Sequence, residues 1–238
     1  MYGVLFDLDD TLYPEFSYVK SGFRAVARTL TSDTTTQDVL VTEMLELFAS
    51  SPSGVFDRLL ERFSHTDWAR DASKSISRML HAYRTHSPDI ELYADVVPTI
   101  SLLRWHGMKL GVITDGRADG QHAKLDALGV SRLVDVVIVT DSLGPGRRYW
   151  KPSTRPFELA LSELGVAAAN AVYVGDNPSK DFHGPSRLGM RTVHIRRSDA
   201  LNLYEQKAVG GQNWLHADHV IDDLDDLPRL LQEWSWLD

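Results

Sequence analysis

From residue 98 onward the sequence alternates strand-length apolar runs with stretches of helical period, and this alternation restricts the fold more than any other feature. The runs are "KLGVITD" at 109–115, "VDVVIVTD" at 134–141, "AVYVGD" at 171–176 and "RTVHI" at 191–195. Helical spacing fills the intervals at 98–106, 119–128, 155–164 and 180–189. A strand that is apolar on both of its alternating faces must be covered on both. Helices that carry the chain back to begin the next strand in the same direction provide that cover. The expected architecture is therefore α/β, a doubly wound, Rossmann-like parallel sheet. "YGVLFDL" at 2–8 adds a strand ahead of the series, and "HVIDDLDDLPRLLQEW" reads as a last short strand and a closing helix.

The stretch from Phe16 to Tyr93 has a different texture. Its apolar residues recur at helical spacing, as in Val19, Phe23, Val26 and Leu30, with "SDTTTQD" and "SSPSG" as breaks. Four helices with no strand between them are expected, forming an all-helical insert at 15–94 within an α/β core made of 1–14 and 95–238. Phe23, Phe48, Phe56, Phe63 and Trp68 are expected to form the core of that insert. Trp214, Trp234 and Trp236 are expected to pack near the C-terminus.

Composition narrows the chemistry. The chain has 238 residues, a formal net charge of -8 and no cysteine. The charge gives no general support for nucleic-acid or anionic-membrane partners, so neither is expected and a small-molecule ligand is. Without thiols, any metal must be held by oxygen or imidazole. Acidic residues interrupt the first apolar run at Asp7, and no run approaches the roughly 18 apolar residues of a membrane span. The expected location is cytoplasmic.

Polar residues collect where the strands end. "DLDDT", "TDG", "TDSLGPGRRYWKP" and "GDNPSKD" all leave strand C-termini, the edge at which open α/β sheets bind ligands. Taken as one site, these loops bring together Asp7, Asp9, Thr114, Lys151, Asp176 and Asp181. Carboxylates from two strand ends suit Mg²⁺, with Asp7 and Asp176 as the obvious pair. Mg²⁺ and Lys151 then balance Asp7, Asp176 and Asp181, which leaves Asp9 as the odd carboxylate. A phosphate dianion beside it would raise its pKa, as a general acid requires.

"FDLDDTLYP", "VITDG", "YWKP" and "VGDNPSKD" resemble, in order and spacing, the four motifs of the haloacid dehalogenase superfamily in its phosphatase branch. The resemblance spans nearly the whole chain. It implies a doubly wound core with a helical cap between the first and second motifs. It also implies a Mg²⁺-dependent hydrolase acting on a small phosphorylated metabolite. Asp7 would be the nucleophile that forms an aspartyl-phosphate, and Asp9 the general acid and then base. Asp7, Asp176 and the backbone carbonyl of Asp9 would hold Mg²⁺. Thr114 and Lys151 would grip the phosphoryl group, with the loop backbone at Asp115 assisting. Asp181 and Asn177 would orient Lys151 and the metal site from behind.

Within that resemblance the first and third motifs lean toward nucleotide and flavin mononucleotide phosphatases, and sugar phosphates are also in range. A phosphomutase shares all four motifs. A 2-haloacid dehalogenase generally lacks an acid at the position of Asp9. A receiver-like signalling module would place its Asp on a middle strand and carry no helical insert. Asp115 departs from the Asn common in relatives and adds charge near the phosphate site. Arg147 and Arg148 sit on a basic loop expected to be solvated. Arg24, Arg58, His65 and Arg70, on the cap, are candidate specificity residues set against solvated surface ones. "HADH", His216 to His219, has metal-like spacing but no evident third ligand.

Overall fold

The computed structural model describes residues 1–201 and 215–237. Six parallel strands form one sheet in the order β3-β2-β1-β4-β5-β6. They are β1 (Gly3–Phe6), β2 (Lys109–Thr114), β3 (Val136–Val139), β4 (Ala171–Gly175), β5 (Arg191–Ile195) and β6 (His219–Ile221). Helices α5 (Val96–Trp105), α6 (Ala118–Leu128), α7 (Arg155–Leu164) and α8 (His183–Leu188) alternate with β2 to β5, and a helix at Leu227–Glu233 follows β6. This is the doubly wound α/β fold expected from the alternation. The fourth helix begins at His183 rather than 180, because residues 178–182 are spent in a turn.

Both faces of the central strands are buried, which is why their sequences are continuously apolar. On one face Leu5, Ile113, Ile138 and Tyr173 pack against Phe157, Ala160 and Leu164 of α7. Each such side chain taken fully from water is worth roughly 1.5–3 kcal/mol. Gly111 is a point of close approach, since a Cβ there would lie 2.6 Å from both Leu5 and Val136. At the C-terminus Trp236 stacks on Tyr2 and the Arg191 guanidinium lies 4.3 Å from the Trp234 ring, whereas Trp214 lies outside the described residues.

The strand order sets where a ligand can sit. After β1 the chain winds outward through β2 and β3, then crosses to β4 and winds the other way through β5 and β6. Winding reverses at β1 and β4, and a crevice opens beyond the carboxyl ends of such strands. Register brings those ends level, because Phe6 pairs with Val112 of β2 and Val174 of β4.

Contacts divide the chain into two units, Met1–Glu15 with Glu91–Asp238, and Phe16–Ile90. The second holds α1 (Glu15–Leu30) from its second residue, α2 (Thr34–Ser50), α3 (Val55–Arg62) and α4 (Ala72–Thr85). Asp33 and Asp71 cap α2 and α4 by accepting the N–H groups of Thr36 and Lys74. Phe23 is the centre of an aromatic cluster with Phe48, Phe56 and Tyr83 at ring separations of 5.8–6.2 Å. Gly22 permits it, since a Cβ there would lie 2.4 Å from the Tyr83 ring. Phe63 and Trp68 pair separately at 5.9 Å. The half-buried Arg58 is tied to its own unit, its guanidinium bonding Ser50 Oγ and the carbonyls of Ser51 and Ser53.

In the first unit, the segments on either side of the insert are tied together. The Tyr93 N–H donates to the Leu12 carbonyl at 3.0 Å. Arg197, just past β5 and 6% exposed, forks onto Asp95 at 2.5 and 3.0 Å and donates to the Thr11 carbonyl, with the Tyr93 ring 4.1 Å away. A bidentate guanidinium–carboxylate pair of this kind fixes both direction and distance.

Candidate active site

Asp7 is the first residue beyond β1, and its N–H continues the ladder to the Val174 carbonyl at 2.8 Å. Asp176 follows β4, and its carbonyl accepts from His194 Nε2 on β5 at 2.9 Å. One carboxylate oxygen from each of Asp7, Asp176 and Asp181 falls within 4.8 Å of the others. Unscreened, unit charges at about 4 Å repel by roughly 4 kcal/mol each at an effective dielectric near 20. Burial pushes the Asp176 carboxyl well above the ordinary range, and the charges of Asp181 and Asp7 add to it. Burial likewise raises Asp7, against the pull of Lys151 and Lys180.

Lys151 is the main counter-charge. Its ammonium, fully shielded from solvent, lies 2.6 Å from Asp7 Oδ1, 2.8 Å from Asp181 Oδ1 and 2.8 Å from the Tyr173 hydroxyl. Burial works against that charge, but Asp181, Asp7 and Asp115 more than offset it and keep the lysine protonated. The second oxygen of Asp181 accepts the Asn177 N–H at 2.9 Å. Asn177 in turn accepts from the Ser179 N–H and hydroxyl, holding the turn that presents Asp181.

Asp7 Oδ2, by contrast, is buried and accepts no hydrogen bond among the described residues; Lys180 Nζ stands 3.8 Å from it. An orphaned carboxylate oxygen inside a group of three acids is a fit for a small hard cation, which prefers oxygen donors. His216 and His219 do not join a metal-capable group among the described residues.

Thr114, at the end of β2, is wholly buried and its hydroxyl bonds Gln121 of α6. Asp115 turns its carboxylate to the lysine loop, accepting from Thr140 Oγ1 at 2.7 Å and the Lys151 N–H at 3.1 Å, with Lys180 3.8 Å away. Its extra charge is thus spent on holding two loops together. Arg147 and Arg148 lie over the rings of Trp150 and Tyr149 at 4.7 and 5.3 Å.

Asp9 is not the odd carboxylate. Lys124 Nζ of α6 lies 2.6 Å from its Oδ1, the Tyr13 hydroxyl donates to the same oxygen, and Gln121 Nε2 donates to Oδ2 at 3.0 Å. Burial alone would raise the Asp9 carboxyl, but the Lys124 charge and these three bonds prevail and hold it below the usual range. Charge counting from the sequence missed this because Lys124 reads as a surface residue of an ordinary helix. Asp10, in left-handed backbone at φ 50, accepts the N–H groups of Glu15 and Leu201 at 2.8 and 2.9 Å and thereby shapes the loop.

Comparison with known proteins decides the family, for residues 4–195 match the model of the haloacid dehalogenase-like hydrolases. The chain belongs to that family. A glyceraldehyde 3-phosphate phosphatase of Methanopyrus kandleri is 35% identical over 202 residues, covering 82% of this chain and 83% of its own. Among solved structures, a HAD phosphatase from Thermococcus onnurineus is 27% identical with a TM-score of 0.55, covering 97% of this chain and 98% of that one. A 2-haloacid dehalogenase from Pseudomonas syringae is 25% identical with a TM-score of 0.59 and coverage of 98% and 100%. Both chemistries thus occur among haloacid dehalogenase-like hydrolases similar to this chain.

Proposed function

We propose that this chain is a Mg²⁺-dependent phosphatase that hydrolyses a small phosphomonoester through a phosphorylated Asp7. The carrying observation is the pair of carboxylates two residues apart in unlike surroundings. Asp7 is held by Lys151 with one oxygen unbonded among the described residues, while Asp9 has its own set of donors from α6. A dehalogenase needs no second acid there, so Asp9 and its donor set favour the phosphatase reading over that of the Pseudomonas syringae neighbour. The Methanopyrus kandleri relative supports it and makes a triose-phosphate-sized ester the first substrate to try.

Asp7, Asp176 and the Asp9 carbonyl would hold Mg²⁺, which supplies positive charge beside the phosphoryl oxygens when bound. Asp7 attacks phosphorus, forming an Asp7 oxygen–phosphorus bond as the ester oxygen leaves. The charge of the arriving phosphate raises the proton affinity of Asp9 against the pull of Lys124, and the ester oxygen takes the proton that Asp9 then carries and departs as the alcohol. Asp9, now a carboxylate, removes a proton from water as the water oxygen bonds phosphorus and the Asp7 bond breaks. Phosphate and both original carboxyl groups are restored. Thr114 and Lys151 would stabilise the charge spread over the phosphoryl oxygens. Lys151 also fixes the direction of Asp7.

The test is hydrolysis of an aryl phosphate by purified protein, with and without Mg²⁺, and by Asp7→Asn. Activity in the wild type that a chelator abolishes, and loss by orders of magnitude in Asp7→Asn, are expected. Undiminished activity after metal removal would overturn the role of Asp176.

A further inference from the structure

Helix α6 sends two polar side chains into the interior, and both end on Asp9. Gln121 and Lys124 are 3% and 5% exposed. They occupy the first two places of a buried stripe, 121, 124, 125 and 128, whose other members are Leu125 and Leu128. A lysine in that position is costly unless paired. Lys124 is paired, with Asp9 Oδ1 at 2.6 Å, and Gln121 bonds Asp9 Oδ2 at 3.0 Å while also reaching the Thr114 hydroxyl.

We propose that Lys124 and Gln121 are positioning residues that fix the Asp9 carboxyl for proton transfer to the leaving group. The proposal rests on the phosphatase reading above. A carboxylate oxygen offers about two lone-pair sites. At Oδ1 both are taken, by Lys124 and by the Tyr13 hydroxyl. Among the described residues Oδ2 accepts only from Gln121, which leaves a site for the proton that is passed on. When the bond between phosphorus and the ester oxygen breaks and that oxygen takes the Oδ2 proton, the electron pair of the O–H bond stays on the carboxylate. The resulting charge lies against the Lys124 ammonium. Without these donors the carboxyl is free to turn about its side-chain bonds, and proton transfer is sensitive to such misplacement.

Leaving groups separate this role from a merely structural one. A dinitrophenolate departs without a proton, whereas phenolate is a poorer leaving group and gains from one. The ratio of kcat/KM for phenyl phosphate to that for 2,4-dinitrophenyl phosphate therefore reads acid assistance alone. A partly unfolded variant scales both rates together and leaves the ratio unchanged. Lys124→Met and Gln121→Met are each expected to lower the ratio about 10-fold, a part of the 10² to 10⁴ attributed to general acid catalysis. Lys124→Arg should recover part of it. Asp9→Asn should lower it further, and adding Lys124→Met to Asp9→Asn should change the ratio no more. An unchanged ratio in Lys124→Met, or a further drop in the double variant, would overturn the proposal. A wild type that cleaves neither ester would instead refute the phosphatase reading on which it rests.

Discussion

The Lys151 ammonium lies 2.6 Å from Asp7 and 2.8 Å from Asp181, and no part of its side chain meets solvent. One buried cation thus serves two buried acids. Removing it strips Asp181 of its close cation and leaves Asp7 with only the more distant Lys180, and breaking a buried pair costs about 3–5 kcal/mol. Lys151→Met is expected to lose that much in urea unfolding together with its activity. Adding Asp181→Leu should recover part of the stability and none of the activity. A loss in the single variant below about 1 kcal/mol would contradict the pairing.

Metal should register on stability as well as on rate. A ligand that binds only the folded state stabilises it by about 2.7 kcal/mol at one hundred times its Kd. Mg²⁺ is therefore expected to raise the Tm of the wild type, and Asp176→Asn to abolish most of that rise. An equal rise in both proteins would remove Asp176 from the metal site.

Glu15 gives a pH-dependent test. Burial, with the charges of Asp9 and Asp10, lifts its carboxyl from 4.5 to about 7. A raised carboxyl holds its proton more tightly when folded, so it costs nothing below pH 4.5 and its penalty grows until about pH 7. Glu15→Gln removes the penalty. Urea unfolding across this range should find the variant equal to wild type in acid and more stable by roughly 1–3 kcal/mol near neutrality. A constant difference at all pH values would contradict the shift.

The Arg197 fork can be tested by shape against charge. Arg197→Lys keeps the charge but loses the planar pair of donors to Asp95 and the bonds to the Thr11 carbonyl. A destabilisation of about 2–4 kcal/mol is expected, close to that of Arg197→Met, because a buried fork is not replaced by a point charge. Wild-type stability in the lysine variant would mean that charge alone suffices.

The strands and helices of the core were legible because burial on both faces leaves a direct mark, an unbroken apolar run, in β2 and β4. The acids of the candidate site were legible because polar residues at strand ends interrupt those runs. What supports them was not. Tyr173 sits mid-strand among core residues, yet its hydroxyl accepts from Lys151. Lys124 and Gln121 left a faint signal, two polar residues at the positions of a helical stripe where leucines would be ordinary. A single helix does not tell which of its faces turns inward, so that signal becomes decisive only once Asp9 is seen opposite.

The Arg197 and Leu12–Tyr93 ties give the insert two stems that meet. A chain entering and leaving at adjoining points behaves toward its host as a long loop, and doubling such a loop adds only about 0.6 kcal/mol to the entropy of closing it. Asp7 stands on the pinned side of those stems. Helices between 16 and 90 can therefore be lengthened, shortened or exchanged while Asp7 stays where it is, so the insert and the strand-end acids are open to change independently of one another.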